Sequence, residues 1–512
     1  MRYLILLLAA TLGYSQTVDI LLTGGQVFDG TGSPGRVADI GITRDLITFV
    51  GDAKANGLKA RRTISAAGLI VSPGFIDPHT HTLEDLSGPK PSNEEYLLQG
   101  VTTVVTGNDG GGPIGIGKVF DQWKRQGIGT NAALYIGQGT VRQEVMGMTD
   151  AAPSPEQVET MRRLVTQGMS EGALGLSSGL FYAPGSYAKT EEVVELAKAA
   201  AAQGGIYDTH MRDESSYTIG VMGAIRESIA IAKAAGIPLH ISHIKVQGPS
   251  VWGKSDEAIQ LIRAAQALGV RISADQYPYT GSGTSLTASL VPRWAQVGGN
   301  AQMLTRLSDP KLAAEMEKNL AIRGGAQLLL ITTARDKKLI GNTLEQLAKQ
   351  RNESPVAVAI AIIRDGGAGV ASLNIQESDI ENFMKQDFVV TGSDGSAGHP
   401  RKYGTFPRKL RIYVREKGLI TLPFFIQHSS ALTAQQLHID RRGLLKEGYF
   451  ADVIAFDYAA TTDKATYEHP DLYSEGMKYV LVNGQVAVEN GKYTGALAGV
   501  PVKPGVTKSK SQ

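Results

Sequence analysis

Eight times along the chain a short apolar run ends in polar residues and is followed by a stretch with helical spacing. These runs are residues 74–81, 102–109, 131–140, 173–180, 206–213, 238–245, 270–279 and 388–395. Short strands alternating with helices imply parallel βαβ units, and eight such units are what closes a (β/α)₈ barrel. Pro155–Glu171 carries proline at its start, 191–203 is rich in alanine and glutamate, and 256–268 has apolar positions at helical spacing. All three read as crossover helices. The 60 glycines of the 512-residue chain cluster at the ends of apolar runs, where strand-to-helix turns are tight.

The interval before the eighth run is too long for one crossover. It holds an apolar strand pattern at 328–333 and a helical one at 343–364, so a subdomain is expected at 286–385, inserted between strands seven and eight. Glycine-broken β segments before residue 72 return in register at 451–456 and 479–486, which pairs the two chain ends in one small β-sandwich. The expected organisation is an N-terminal sandwich part at 16–72, a barrel at 73–418, a C-terminal helix and sandwich return at 419–500, and a disordered tail at 501–512. Residues 1–15 combine Met1-Arg2, an apolar core and a small-residue exit, the pattern of a secretory signal. Export to the periplasm or the extracellular space is expected, without a membrane anchor after cleavage.

Charge and cysteine usage narrow the function. With 51 basic and 49 acidic residues the net charge is +2, which leaves no electrostatic footprint for nucleic acid. With no cysteine, disulfides, thiolate nucleophiles and cysteine-ligated zinc are excluded.

In a (β/α)₈ barrel the site lies at the C-terminal ends of the strands. Those ends read Asp77-Pro78-His79-Thr80-His81, Gly107-Asn108-Asp109, Thr209-His210, Ser242-His243-Ile244-Lys245 and Gly392-Ser393-Asp394-Gly395. On a strand, residues i and i+2 point to one side, so His79 and His81 can face a single cation. Four of the nine histidines and two aspartates fall at these ends. Imidazole and carboxylate donors without thiolate suit zinc, with manganese, cobalt or iron as alternatives. His79, His81 and Asp394 are placed at one ion, His210 and His243 at another, with Asp109 the candidate bridge and Asp394 the candidate acid/base. His240 has the wrong parity to join His243 and is expected to be structural.

The chain resembles the amidohydrolase superfamily and, within it, the N-acyl-D-amino-acid deacylase family. The motifs that carry the resemblance are Pro73-Gly74-Phe75-Ile76-Asp77-Pro78-His79-Thr80-His81, Thr209-His210-Met211-Arg212-Asp213-Glu214, Tyr277-Pro278-Tyr279, and the stretch from His399-Pro400-Arg401-Lys402 to Arg408. The resemblance implies a barrel with a sandwich from both chain ends, His79, His81, His210, His243 and Asp394 as metal ligands, and Lys245, Tyr279, Ser285 and Arg401 as groups that hold the substrate carboxylate or carbonyl. One departure stands out: the family pattern has cysteine where this chain has Asp109. The expected activity is metal-dependent hydrolysis of the amide of N-acyl-D-amino acids, small substrates with a free carboxylate. Open alternatives are a dipeptidase for dipeptides with a D or prolyl C-terminal residue, a cyclic amide or lactone hydrolase, and a secreted binding protein without catalysis.

Overall fold

The computed structural model describes residues 17–505. The expected signal segment lies outside them. Eight short parallel strands form the centre: Phe75–Thr80, Val101–Thr106, Asn131–Leu134 with Ile136–Gly137, Gly175–Gly179, Ile206–His210, Leu239–Ile241, Ile272–Gln276 and Val389–Thr391. The first three strands pair in order, and the third runs through Tyr135 into the pairing that continues to the eighth. The ring closes where Asp394 N donates to His79 O at 2.9 Å and His81 N donates to Gly395 O at 3.0 Å. Every residue of these eight strands is buried, as a parallel sheet covered by helices requires.

The helix Pro155–Glu171 shows why the crossovers form. Ser154 caps it by accepting from Gln157 N while Gln157 Oε1 accepts from Ser154 N, proline sits at the first helical position, and Gly172 ends it in the left-handed conformation at φ +118°. Its inner face buries Met161, Val165 and Met169.

The inserted unit spans 282–372 rather than 286–385. It has a three-stranded antiparallel sheet, Ser282–Ser285, Ala368–Ser372 and Leu329–Ala334, with Ala368–Ser372 central, and an apolar core of its own. The helix Glu377–Met384 lies against barrel strands seven and eight and belongs to the barrel. The single helix expected at 343–364 is two helices, Leu344–Arg351 and Pro355–Arg364. Asn352 takes a left-handed conformation at φ +51°, and Ser354 caps the second helix ahead of Pro355, which has no N–H to continue the first.

Both chain ends meet in one nine-stranded sheet, joined where Ile70–Pro73 pairs antiparallel with Val453–Phe456. The long strand Thr17–Val27 shifts register between Leu22 and Gly25. Its first half pairs with Lys59–Ser65 and its second half with Ile70–Pro73, so the sheet wraps a core that includes Leu22, Ile40, Ile42, Val453 and Leu481. This layer is tied to the third barrel strand by buried polar groups: Asn131 Nδ2 donates to Asp452 at 3.1 Å, and Asn483 Nδ2 donates to Asn131 at 2.8 Å. Of the tail expected to be disordered from 501, residues 501–505 are ordered and the rest lies outside the described residues. Val502 N donates to Ala132 O at 2.8 Å and its side chain is buried, so the barrel captures it as an added edge. Among the described residues no helix is long and apolar enough to cross a membrane.

Beneath the eighth strand lies Lys409, fully buried, with Nζ donating to Thr391 Oγ1 at 3.0 Å. Burial pushes this ammonium down from its ordinary 10.5 to about 7. The unfolded chain therefore binds the proton more tightly, at a cost to folding on the order of 5 kcal/mol that is fully present below pH 7 and fades as pH rises towards 10. Lys409→Met is expected to raise the melting temperature most below pH 7, with the gap to wild type closing by pH 10. A gap that does not vary across pH 6–10 in thermal scans would refute a neutralised lysine.

Candidate metal centre

Five barrel strands deliver polar side chains to one point on the rim. His79 and His81 come from the end of the first, Asp109 follows the second, His210 ends the fifth, His243 follows the sixth and Asp394 the eighth. Asp109, His243 and Asp394 all take positive φ, at 57°, 37° and 48°. For residues with a Cβ this costs about 1–2 kcal/mol each, strain of the kind that concentrates at functional sites. The chain around them is cut to fit. A Cβ on Gly110 (φ +74°) would stand 2.8 Å from Gly179 N, and one on Gly392 would stand 2.3 Å from Asp275 Oδ1.

Asp109 lies at the middle. Its Oδ1 is 3.4 Å from His79 Nε2, 3.5 Å from His243 Nε2 and 3.8 Å from His210 Nδ1, and its Oδ2 is 3.6 Å from His81 Nε2. Asp394 Oδ1 is 3.0 Å from His81 Nε2 and 3.7 Å from His79 Nε2. His210 Nδ1 and His243 Nε2 are 2.8 Å apart. The donors fall into two groups that share Asp109: His79, His81, Asp109 and Asp394, and Asp109, His210 and His243. Within each, the donor atoms lie within 4.8 Å of one another.

Both ring nitrogens of His79 and Oδ1 of Asp109 are buried without a hydrogen-bond partner. A buried polar atom left so costs about 1–3 kcal/mol. Buried donors that converge without hydrogen-bond partners are what a cation satisfies, and the nitrogen and oxygen donors fit a divalent ion such as zinc.

Electrostatics keep the two carboxylates and His210 in the form a cation needs. By contrast, against burial, Asp109 holds His79 well above the usual imidazole range and Glu214 with Asp394 holds His243 up at about 9, so a cation binding there displaces their protons. Burial alone would raise the Asp109 carboxyl, but the imidazoles of His79 and His243 hold it well below the usual range. Burial acts likewise on Asp394, and the Arg401 guanidinium, 2.8 Å from its Oδ2, holds it down. Burial also pushes His210 down to about 4, which leaves it neutral near pH 7 with a free lone pair. A further layer orients the rings. His79 Nδ1 faces Asp275 Oδ2 at 3.8 Å, and Asp275 also meets His240 Nε2 at 3.0 Å. His240 is structural, its other nitrogen 2.8 Å from Ser273 Oγ. Glu214 lies 3.1 Å from His243 Nδ1 and accepts from Lys245 Nζ at 2.6 Å.

A cavity of about 760 Å³ opens above the cluster, lined by His81, Asp109, His210, His243, Lys245, Ser285, Asp394 and Arg401 among others. Ser285 reaches it although its Oγ also caps a short helix, accepting from Ala288 N at 3.0 Å. Tyr279, expected at the substrate, does not line the cavity. Its hydroxyl donates to Pro400 O at 3.4 Å, and its ring packs under Arg408. Tyr277 occupies the wall instead, its hydroxyl buried without a partner and its ring 4.8 Å from the Arg401 guanidinium. The strand ends at Gln276 and Pro278 follows, so strand parity does not carry to Tyr279.

Glu214 and Asp275 were not singled out from the strand rhythm. Asp275 obeys the same rule as the others, a polar residue near the C-terminal end of a barrel strand, and could have been found by it. Glu214 lies in a loop four residues after His210, where no periodicity fixes direction.

The amidohydrolase family model matches residues 62–386 and 333–488. D-aminoacylase of Alcaligenes xylosoxydans xylosoxydans is 33% identical, with 95% of this chain and 97% of that protein covered. A D-aminoacylase structure from work on the functional role of its binuclear metal centre superposes with a TM-score of 0.82 at 33% identity, covering 95% of this chain and 100% of that one. N-acyl-D-glutamate deacylase of Bordetella bronchiseptica, complexed with zinc and a phosphonate mimic of the tetrahedral intermediate, superposes with a TM-score of 0.82 at 29% identity and the same coverage.

Because Asp109 belongs to both donor groups, Asp109→Ala is expected to lower bound zinc by about half or more after loading and dialysis. Elemental analysis of wild type and variant reads this directly, and equal zinc content would remove Asp109 from the ligand set.

Proposed function

The chain belongs to the amidohydrolase family, and from that premise we propose that it hydrolyses the amide bond of N-acyl-D-amino acids, releasing a carboxylate and a free D-amino acid. The observation that carries this reading is the pair of donor groups sharing Asp109 on the floor of a cavity that also holds Arg401 and Lys245. The preference for D substrates is supported by the relatives described above, which match over nearly the whole chain.

His79, His81 and Asp394 would hold one zinc ion, His210 and His243 a second, with Asp109 between them. The chemistry zinc supplies in such a set is Lewis-acid polarisation of a carbonyl and a lowered pKa for water. The chain does the rest. Asp394 takes a proton from the attacking water and returns it to the amide nitrogen as the C–N bond breaks, one carboxylate serving as base and then acid. Arg401 keeps Asp394 ionised beforehand and stands in the cavity wall, so a substrate carboxylate drawn to it is set beside the acid/base. Glu214 fixes Lys245 and His243 together. Aspartate in place of the family's cysteine gives position 109 two oxygens, Oδ1 facing His79, His210 and His243 and Oδ2 facing His81.

Asp394→Asn keeps the side chain's size but removes its basicity. It is expected to lower kcat about 10³-fold or more on N-acetyl-D-amino acids with the zinc-loaded enzyme. Near-normal turnover would remove Asp394 as acid/base, and rates on N-acetyl-L-amino acids equal to those on the D forms would sink the stereochemical assignment. Export is proposed on the residue pattern of 1–15 alone. Its check is the N-terminal sequence of protein recovered from the periplasm or medium, where a start near Gln16 is expected and an intact Met1 would count against processing.

A further inference from the structure

Four cationic side chains besides the imidazoles line the cavity among the described residues: Lys245, Arg323, Arg335 and Arg401. Three face acids. Lys245 is on Glu214, Arg401 on Asp394, and the exposed Arg335 stands 3.9 Å from Asp365. Arg323 is the exception. It is only 3% exposed, its Nε donates to Ser289 O at 3.3 Å and its Nη1 to Ser372 Oγ at 2.7 Å, and among the described residues no carboxylate lies within ion-pair distance. A buried charge without a counter-ion is costly. Groups beside it repeat the pattern. The Tyr217 ring lies 5.7 Å from the Arg323 guanidinium, and its hydroxyl is buried without a partner; so is Gln247 Nε2, and both residues line the cavity.

The patch is connected to the metal centre. Tyr217 packs on Phe181 at 5.6 Å between ring centroids, and Phe181 packs on His210 at 5.6 Å, so two aromatic rings separate Arg323 from a ligand imidazole. Gln247 leaves the sixth strand's loop two residues after Lys245 and donates its backbone N–H to Glu214 O at 2.8 Å. A substrate with its amide at the metal centre would have this wall within reach.

We propose that Arg323, with Tyr217 and Gln247, forms a second anion subsite, and that the preferred substrate carries a second carboxylate beyond the α-carboxylate. This rests on the deacylase reading above. The second carboxylate is carried either by the amino-acid side chain or by the acyl group; both present the same chemistry to a guanidinium that has two N–H groups already fixed by Ser289 and Ser372. The insertion supplies Arg323, so selectivity comes from the subdomain while the barrel supplies the chemistry.

The test uses the zinc-loaded full chain and two matched pairs, N-acetyl-D-glutamate against N-acetyl-D-glutamine and N-succinyl-D-alanine against N-butyryl-D-alanine. At least one acidic member is expected to exceed its neutral partner about tenfold or more in kcat/KM, which identifies the half of the substrate that bears the charge. Arg323→Met should collapse that ratio towards one and Arg323→Lys should keep part of it, with melting curves showing that both variants fold. If Arg323→Met fails to fold, Tyr217→Phe takes its place and should reduce the same ratio. Ratios below about threefold in both pairs, while amide hydrolysis proceeds, would overturn the subsite and leave the deacylase reading standing. No turnover on any of the four would count against that reading instead, and calorimetric titration then decides the subsite. With the same two pairs as unturned ligands, at least one acidic member should bind the wild type about tenfold more tightly than its neutral partner and lose that advantage in the Arg323→Met protein; equal binding within both pairs would overturn it.

Discussion

Asp109 Oδ1 lies within 4 Å of three imidazole nitrogens, buried and without a hydrogen-bond partner. Much of the surrounding architecture serves that convergence. Left to themselves, buried histidines and carboxylates neutralise or separate, because desolvation penalises their charged forms. Here they are held by three non-glycine residues in the left-handed region, by glycines where a Cβ would strike the neighbouring backbone or Asp275, and by a closed ring of strands whose last link runs between Asp394 N and His79 O. The backbone strain and the unpaired donors are two sides of one constraint, a geometry that a bound cation would complete.

Around this centre, charge is matched in layers. Below it, inside the barrel, burial pushes Asp77 up to about 7 and Asp208 up to about 6, against the hydrogen bonds each accepts. Asp275, by contrast, is held well below the usual carboxylate range: burial opposes this, but its contacts with His240 and His79 prevail. At the level of the donors, Arg401 answers Asp394 and Lys245 answers Glu214. Above them the matching stops at Arg323, in the part of the cavity built from the insertion. Protein groups balance one another where chemistry needs fixed protonation states, and a balance left open in the cavity wall is one that a substrate can close.

The relation between chain and structure differs from element to element. The strand rhythm located all eight barrel strands, because burial on both faces imposes continuous apolar runs that end sharply at the rim. His79, His81, Asp109, His210, His243 and Asp394 were readable for the same reason, since each ends or directly follows such a run. Tyr279 was expected at the substrate from the resemblance alone; the strand stops at Gln276, and beyond it the chain turns the Tyr279 ring under Arg408 and leaves Tyr277 in the cavity wall. The 343–364 segment was read as one helix because its apolar spacing runs through Asn352 and Ser354, whose turn and cap outweigh periodicity. Arg323 carried no signal, as it lies near the end of a helix in a unit that does not follow the barrel's repeat.

Taken alone, the sequence determined the class of fold, the pairing of the two chain ends, the absence of thiol chemistry and the donor types available at the rim. These follow from composition and from short-range periodicity, which act over a few residues and leave a local trace. Only the tertiary structure decided that Asp109 sits in both donor groups, that Tyr277 rather than Tyr279 faces the cavity, that Lys245 and Arg401 already have acidic partners, and that Arg323 does not. Each of these depends on which atoms face one another across large separations in the chain, and such contacts are set by ring closure and packing rather than by any pattern along the backbone.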